Sequence, residues 1–330
     1  MTVAKEEFDL IIVGGGPIGL ACAIEAKKQG LSYLILEKGT LVNSLYHFPT
    51  NMTFFSTSAL LEIGNVPFIS HSDKPTRRES LEYFRRVLES WDLNIHFYEE
   101  VTDIDKKGDH FTVTTPKNTY RSTYVIVATG FYGKPKLMNV PGEDLPKVRH
   151  YYKEVHPYIG QRVLIVGAAN SACDVALELF HKGAEVTMVI RGSEINPRVK
   201  YWIKPNIENR IKEGSIKAHF NSEIIAIEPD HVVVQTPEGQ IEIPNDFVLA
   251  MTGYVPDFDF LDRIGVERDP EDPEKPMVDP ETFETNVENL YLAGVVVAGS
   301  RTSTLFIENS RVHGGIIIQQ IKEKEKVLEG

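Results

Sequence analysis

Two glycine-containing turns carry the residue types that bind phosphate groups. The first reads GGGPIGL, Gly14 to Leu20, and the second reads GAANSA, Gly167 to Ala172. In such turns glycine permits the tight bend, leaves room for a pyrophosphate to approach the backbone, and lets a helix pack closely on a strand. The following helix presents free N–H groups and the positive end of its dipole to the phosphates. Both turns are therefore predicted to bind dinucleotides.

The first turn has the complete glycine pattern, because Gly14, Gly16 and Gly19 are all present. The strand that follows its helix ends at Glu37. A carboxylate at this position can accept hydrogen bonds from both ribose hydroxyls and would repel a 2′-phosphate. The complete pattern and its place at the start of the chain predict an FAD site.

The second turn differs at the positions that select the ligand. Ala169 and Ala172 replace the later glycines, and the following strand ends at Arg191, where the first unit has Glu37. A guanidinium favours the 2′-phosphate of NADP over the bare ribose of NAD. This pattern predicts an NADPH site, although a solvated strand end remains the alternative interpretation of Arg191.

Each turn lies inside a strand–helix–strand unit that positions it. FDLIIV (8–13) and RVLIV (162–166) read as strands buried in a parallel sheet. Helices are predicted from Pro17 to about residue 29 and to about residue 182 in the second unit. The spacing from Gly14 to Gly30 equals that from Gly167 to Gly183, 16 residues in each case. Two units in register predict an α/β protein with two Rossmann-like domains.

Composition limits the partners of the chain. Its 330 residues allow two domains, and the net charge of −12 argues against nucleic acid or an anionic membrane as the main partner. Apolar runs are shorter than the ~20 residues that cross a bilayer, and His150 and His156 lack Cys or carboxylate partners at metal spacing. With two cysteines far apart, Cys22 and Cys173, we expect a cytoplasmic protein without a structural disulfide.

Further segments extend the pattern over almost the whole chain. VIVATG (125–130), FVLAMTG (247–253) and NLYLAGVVVAG (289–299) resemble the closing segments of thioredoxin-reductase-like flavoproteins. SLYHFPTNMTFFSTS (44–58), GNVPF (64–68), GFYG (130–133), DLPKVRHYYKEVHPY (144–158) and LFIENSRVHGGII (305–317) resemble segments of the bacillithiol disulfide reductases. The resemblance implies a discontinuous FAD domain, 1–150 and 255–330, with an NADPH domain, 155–250, inserted between its parts.

The resemblance also implies which residues bind the cofactors. The expected FAD site consists of Gly14, Gly16, Pro17, Ile18, Gly19, Glu37, Lys38, Ser44, Tyr46, Thr50, Val101, Thr129, Gly130, Gly294 and Ile307. The expected NADPH site consists of Gly167, Ala169, Asn170, Ser171, Ala172, Arg191 and Gly253. The last helix, beginning near Leu305, is expected to direct its N-terminus at the flavin.

Three departures from these families concern the chemistry. Thioredoxin reductases carry a CxxC pair before the second unit, but residues 149–167 contain no cysteine. The late segment reads Gly294-Val295, where the acid that usually bonds the FAD ribityl chain is missing. Bacillithiol disulfide reductases often have cysteine after the proline of the first turn, where this chain has Ile18.

The catalytic residues are therefore left open, with the flavin itself as the reacting group. Candidates beside it are Ile18, Tyr46, His47, Thr50 and His313. The loop carrying Tyr46 to Thr50 is expected to cover the reacting side of the flavin, unless it is an aromatic-rich loop packed on the core. Cys22 and Cys173 are expected to be buried packing residues, with a redox-active Cys22 as the alternative.

The expected reaction is NADPH-dependent reduction of a low-molecular-weight disulfide such as bacillithiol disulfide. An NADPH:ferredoxin or flavodoxin reductase and a flavin monooxygenase are the enzymatic alternatives, and an NADPH-sensing flavoprotein is a non-enzymatic one. The partners are then a small disulfide or a small redox protein, and we expect a homo-oligomer, either dimer or tetramer.

Overall fold

Two sheets, one mixed and one parallel, contain the apolar runs at their centres. The computed structural model describes residues 6–301 and 304–329. The strands are β1 (Glu6–Val13), β2 (Tyr33–Leu36), β3 (Ile95–His96), β4 (Asp103–Lys107), β5 (His110–Thr114), β6 (Thr119–Val127), β7 (Lys134–Pro135), β8 (Val148–Arg149), β9 (Arg162–Val166), β10 (Glu185–Val189), β11 (Lys217–His219), β12 (Glu223–Ile227), β13 (His231–Thr236), β14 (Gly239–Pro244), β15 (Phe247–Ala250), β16 (Tyr254–Val255), β17 (Arg268–Asp269), β18 (Asp272–Pro276) and β19 (Leu290–Leu292).

The helices follow the strands in the alternation that the two units require. They are α1 (Pro17–Lys28), α2 (Asn43–His47), α3 (Ser58–Leu61), α4 (Arg77–Trp91), α5 (Asn170–His181), α6 (Lys204–Lys212), α7 (Phe258–Arg263), α8 (Ile307–Ser310) and α9 (His313–Glu329). Single 3-10 turns span His156–Tyr158 and Gly294–Ala298. No helix in the described part of the chain is both long and apolar enough to span a membrane.

The chain divides into two units, the first of which is discontinuous. Unit 1 comprises Met1–Lys134 and Tyr254–Gly330, and unit 2 comprises Pro135–Gly253. The chain passes from unit 1 to unit 2 after Lys134, which is earlier than the expected boundary near residue 150. The cause is β8, which pairs in parallel with β15 and so belongs to the sheet of unit 2.

The sheet of unit 1 has the order β3-β2-β1-β6-β5-β4, with β19 also paired to β6. Both β2 and β6 lie parallel to β1. One face carries α1 and α9, with the buried Leu20, Ile24 and Ile317 in one core cluster. The other face forms a second cluster that includes Ile11 and Val13. Residues 10–13 of the central strand β1 are thus buried on both faces, as their apolar sequence predicts.

The sheet of unit 2 is wholly parallel, in the order β11-β10-β9-β15-β8. Helix α5 packs on β9 and β10, and an antiparallel meander of β12, β13 and β14 stands between β11 and β15 in the chain. The predicted fold class of two Rossmann-like units is confirmed. Each unit begins with the strand, glycine turn, helix and parallel strand that the sequence pattern indicates.

The last helix begins later than the sequence analysis expects. A one-turn helix, α8, covers the position near Leu305, and the long helix α9 starts only at His313. The interruption falls at Arg311, whose guanidinium donates hydrogen bonds to the carbonyls of Ala59 and Glu62. Arg311, directly after α8, is thus held by hydrogen bonds to a distant part of the chain.

Candidate functional site

The glycine turn after β1 is closed by contacts that exclude side chains. Gly14 has a φ of +109°, and a Cβ atom there would lie 2.7 Å from the Ala128 carbonyl oxygen. A Cβ on Gly19 would lie 1.9 Å from the Gly14 carbonyl oxygen, so α1 can start here only with glycine. Gly16 differs, because a Cβ there would meet nothing within 4 Å. The turn is therefore closely packed at Gly14 and Gly19 and open at Gly16, and we call this opening its mouth.

Helix α1 presents its N-terminus at this mouth without a protein cap. Gly16 is the N-cap residue and offers no side chain, Pro17 follows, and no acidic residue occupies the first turn. The first N–H groups of a helix lack partners inside it, and here no side chain supplies one. Such an end favours an anionic ligand, and the open space at Gly16 admits the approach of a diphosphate.

Glu37 lies at the end of β2 with both carboxylate oxygens engaged. One oxygen accepts the Gly15 N–H at 2.7 Å and the other accepts the Gly39 N–H at 2.8 Å. Burial raises the pKa of this carboxyl, and the two backbone donors and Lys38 oppose that rise. Each carboxylate oxygen can accept a second hydrogen bond. Glu37 therefore holds the glycine turn and keeps acceptor capacity for a pair of hydroxyl groups.

Several expected cofactor segments meet around the turn. The Cβ position of Gly14 lies 3.3 Å from the Thr129 nitrogen, and that of Gly130 lies 3.9 Å from Val295 Cγ1. A Cβ on Gly294 would lie 3.1 Å from Ile18 Cγ1. The ends of β1, β6 and β19 thus come together, as the carboxyl ends of parallel strands do at a ligand site.

The loop with the candidate residues Tyr46, His47 and Thr50 is exposed. Its helix α2 is joined to the glycine turn, because the Val42 N–H donates to the Gly15 carbonyl at 3.1 Å. The Arg77 guanidinium donates to the carbonyl of Tyr46 and lies 5.5 Å from the centre of its ring. These groups face solvent rather than the core, so they are accessible to a substrate.

The remaining expected residues occupy different surroundings. Ser44 and Ile307 are half-buried and Lys38 is exposed, with its Nζ 3.1 Å from the Cβ position of Gly133. Val101 is 7% exposed and belongs to the core cluster that contains Val13. The side chain of Val101 is therefore engaged in packing.

His313 is buried beside the turn that follows β19. Its Nδ1 accepts the Gly294 N–H at 3.2 Å, and its ring stacks on Phe283 with centroids 4.0 Å apart. Burial lowers the pKa of this imidazole to about 4. The neutral form of this imidazole thus predominates at neutral pH.

The two cysteines lie near the N-termini of α1 and α5 and are fully buried. Burial raises the pKa of both thiols to about 12. A thiol with these properties is a poor nucleophile. Within the described residues there is also no cluster of three or more His, Cys, Asp or Glu side chains that could hold a metal ion.

The glycine turn of unit 2 is wider than that of unit 1. Gly167 has a φ of +126°, and its Cβ position lies 2.6 Å from the Met251 carbonyl oxygen. The Ala172 Cβ lies 3.4 Å from the same position, so alanine is accommodated where unit 1 requires Gly19. Ala169 is the exposed N-cap residue of α5 and provides no side-chain cap. This helix end too is open to an anionic ligand.

Arg191 is exposed beyond the end of β10, and no carboxylate of the described residues pairs with it. The side chain of Lys200 is already paired, because its Nζ donates to Asp174 at 2.8 Å. The backbone N–H of Lys200 donates to Asn170 Oδ1 at 2.9 Å. Ser171 and Gly253 are exposed, and Gly253 has a φ of +95°. Arg191 can therefore meet a phosphate without first breaking an ion pair to a described carboxylate.

Some residues that build the site are missing from the expected set. Gly15 and Gly39 donate to Glu37, Val42 holds a left-handed φ of 46° and bonds Gly15, and Phe283 stacks on His313. The middle glycine of GGG and the glycine two residues after Glu37 are signals that could have revealed the first two. Neither Val42 nor Phe283 is distinguished by its type or spacing.

Comparison with known proteins adds the relatives of the chain. A family model described as pyridine nucleotide-disulphide oxidoreductase matches residues 11–294. The bacilliredoxin reductase Bdr of Bacillus subtilis is 46% identical over 317 residues, which cover 96% of this chain and 98% of that protein. A ferredoxin–NADP reductase of Ignicoccus hospitalis is 27% identical over 87% of this chain and 89% of its own.

The solved structure of bacillithiol disulfide reductase Bdr (YpdA) from Staphylococcus aureus aligns with a TM-score of 0.94. It is 44% identical, and the alignment covers 97% of this chain and 99% of that chain. These matches confirm the resemblance that the sequence motifs indicate.

Proposed function

The chain belongs to the pyridine nucleotide-disulphide oxidoreductase family, among the relatives of Bdr, and we propose that it is an NADPH-dependent FAD enzyme that reduces bacillithiol disulfide. The observation that carries the substrate assignment is the 44% identity, over nearly the whole of both chains, to a protein named for that activity. The overall reaction is NADPH + H⁺ + bacillithiol disulfide → NADP⁺ + two bacillithiols.

FAD is assigned to the glycine turn of unit 1. The open mouth at Gly16 and the uncapped start of α1 fit its diphosphate, and the spare acceptor capacity of Glu37 fits its ribose. The assigned residues are those expected from the sequence, from Gly14 through Gly294 and Ile307. Bound FAD would supply the two-electron chemistry between the nicotinamide and the disulfide.

NADPH is assigned to the glycine turn of unit 2. Gly167, Ala169, Asn170, Ser171 and Ala172 form the turn and the start of α5, where the uncapped amides fit the diphosphate. The unpaired guanidinium of Arg191 supports NADPH over NADH, because charge-assisted bonds to a phosphate are stronger than neutral ones.

The proposed reaction uses no thiol of the protein. Cys22 and Cys173 are buried, and burial holds the pKa of each near 12, so neither can attack a disulfide from its present position. Ile18, after the proline of the first turn, carries no thiol either. The disulfide is then reduced at the cofactor, and the exposed loop of Tyr46, His47 and Thr50 borders the substrate.

The test is anaerobic oxidation of NADPH by the FAD-loaded protein with bacillithiol disulfide as acceptor. Turnover well above the rate without a disulfide is expected, and NADH should be a poorer donor. Absence of such turnover would overturn the proposal. A rate that instead requires ferredoxin or flavodoxin and reduces cytochrome c would establish the alternative reductase.

The proposed setting is a cytoplasmic homo-oligomer, either dimer or tetramer. The buried, free cysteines agree with a reducing compartment. Light scattering of the purified protein would measure its molar mass, and a monomer would contradict the proposed oligomer.

A further inference from the structure

The turn after β19 begins at a glycine with a left-handed backbone conformation. Gly294 has a φ of +84°, and a Cβ there would lie 3.1 Å from Ile18 Cγ1 of the glycine turn. The residue that follows is Val295, so no carboxylate is available here to bond a cofactor. The backbone of the 3-10 turn Gly294–Ala298 is what this segment can offer a ligand.

His313 holds the first amide of this turn. The Gly294 N–H donates to Nδ1 at 3.2 Å in a buried bond. The first N–H groups of a helical turn have no partners within it. Since His313 accepts the Gly294 N–H, this bond fixes the orientation of the Ala293–Gly294 peptide, which leads into the turn.

The imidazole ring is itself held in place. It stacks on Phe283 at 4.0 Å with an angle of 13° between the planes, and 4% of the residue is exposed. His313 is also the first residue of α9, and the next residue, Gly314, packs on α1. A Cβ on Gly314 would lie 2.9 Å from the Cys22 Cα, so the start of α9 is fixed against α1.

We propose that His313 is a positioning residue for the FAD site, whose neutral imidazole orients the Ala293–Gly294 peptide at the start of the turn beside Ile18. This inference rests on the proposed FAD site and assigns no proton transfer to the histidine. Because Nδ1 is the acceptor, the required tautomer carries its proton on Nε2. A pKa lowered to about 4 by burial keeps that neutral form populated.

Two substitutions test separately the hydrogen-bond acceptor and the aromatic ring of His313. His313→Asn places an amide oxygen near the position of Nδ1, whereas His313→Phe keeps a ring for Phe283 and offers no acceptor. Without the acceptor, the Gly294 amide in the apoprotein would turn toward another partner, and FAD binding would have to reverse this change.

FAD affinity of the apoproteins, measured by quenching of flavin fluorescence, is the first readout. His313→Phe should raise the Kd about tenfold and alter the visible spectrum of the bound flavin, while His313→Asn should remain within about threefold of the unsubstituted protein. Unchanged affinity in His313→Phe, or an equal loss in both variants, would overturn the proposal.

A measurement without substitution covers the case in which a variant fails to fold. The ¹⁵N spectrum of histidine-labelled protein distinguishes an unprotonated Nδ1 from the opposite tautomer. We expect Nδ1 unprotonated and Nε2 protonated at neutral pH, and the opposite tautomer would exclude the proposed role. Failure to reduce bacillithiol disulfide with normal FAD binding would reject the proposed substrate and leave the role of His313 standing.

Discussion

The side chain of Ile18 lies against the backbone of Gly294. A Cβ on Gly294 would come within 3.1 Å of Ile18 Cγ1 and 3.3 Å of Ile18 Cβ. Two turns that are far apart in the sequence therefore approach so closely at the proposed FAD site that a side chain at position 294 would crowd Ile18. Ile18 sets their separation, and its type matters for packing as well as for the absence of a thiol.

Ile18→Cys tests whether a thiol at this position contributes to turnover. With Ile18→Ala as the matched control, both substitutions remove apolar contacts with Gly294 and should lower the free energy of unfolding by about 1–2 kcal/mol. Because the proposed reaction needs no protein thiol, the two variants should show the same rate of NADPH oxidation with bacillithiol disulfide. A much faster Ile18→Cys enzyme that is inhibited by alkylation would contradict this expectation.

Arg191→Ala should reduce the preference for NADPH over NADH. Loss of a charge-assisted bond to the 2′-phosphate should raise the KM for NADPH about 10- to 100-fold and leave the KM for NADH unchanged. Steady-state kinetics with both nucleotides measures the effect. Arg162→Ala is the control, since Arg162 is an exposed arginine of unit 2 whose guanidinium pairs with Asp246. Equal effects of both substitutions would argue against a specific role of Arg191.

Glu37→Gln should weaken FAD binding. The carboxylate accepts the N–H groups of Gly15 and Gly39 on separate oxygens, but a carboxamide has only one acceptor oxygen and would turn an NH₂ group toward one donor. We expect the Kd for FAD to rise about 10- to 100-fold, measured by titration of the apoprotein. Unaltered affinity would show that the carboxylate is not needed at the ribose or at the turn.

The two cysteines should not react in the native protein. Their complete burial and a pKa of about 12 leave roughly one thiol in 10⁴ ionised at pH 8. Ellman's reagent should therefore titrate both thiols only after denaturation, and Cys22→Ala with Cys173→Ala should retain turnover. Rapid labelling of native protein, at a rate that matches loss of activity, would indicate a reactive thiol.

The sequence predicts the two strand–helix–strand units because their signals are local. Gly14 and Gly19 must be glycine for steric reasons, and the apolar run of β1 reflects burial on both faces. The start of α9 at His313 is not predictable in this way, because Arg311 finds its partners in α3 and the residue after it. The boundary at Lys134 is set by the pairing of β8 with β15, which is also non-local.

The same distinction explains what the sequence reveals of the site. Glu37 is predictable from its place at a strand end, whereas its amide donors depend on how the turn folds back. His313 can be proposed from the resemblance as a residue near the flavin. Its stack on Phe283 and its bond to Gly294 arise from packing between distant segments, and those contacts change its interpretation from a catalytic candidate to a positioning residue.

His313 should make the stability of the apoprotein depend on pH. In the unfolded chain this imidazole takes up a proton near pH 6.5, but burial lowers its pKa to about 4 in the folded protein. Between these values the unfolded state binds more protons, so the free energy of unfolding must fall as the pH is lowered from 6.5 toward 4. At about 1.4 kcal/mol per pKa unit, the contribution lost between pH 7.5 and pH 5 is about 2 kcal/mol.

His313→Asn isolates this contribution, because asparagine keeps an acceptor for Gly294 and does not titrate. Urea unfolding of both apoproteins at pH 7.5 and pH 5 should show that the unsubstituted protein loses about 2 kcal/mol more than the variant on acidification. Carboxylates elsewhere titrate in both proteins, so their effect cancels in the comparison. Parallel losses in the two proteins would mean that the folded state accepts a proton on His313 as readily as the unfolded chain, which a buried acceptor of the Gly294 amide could not do.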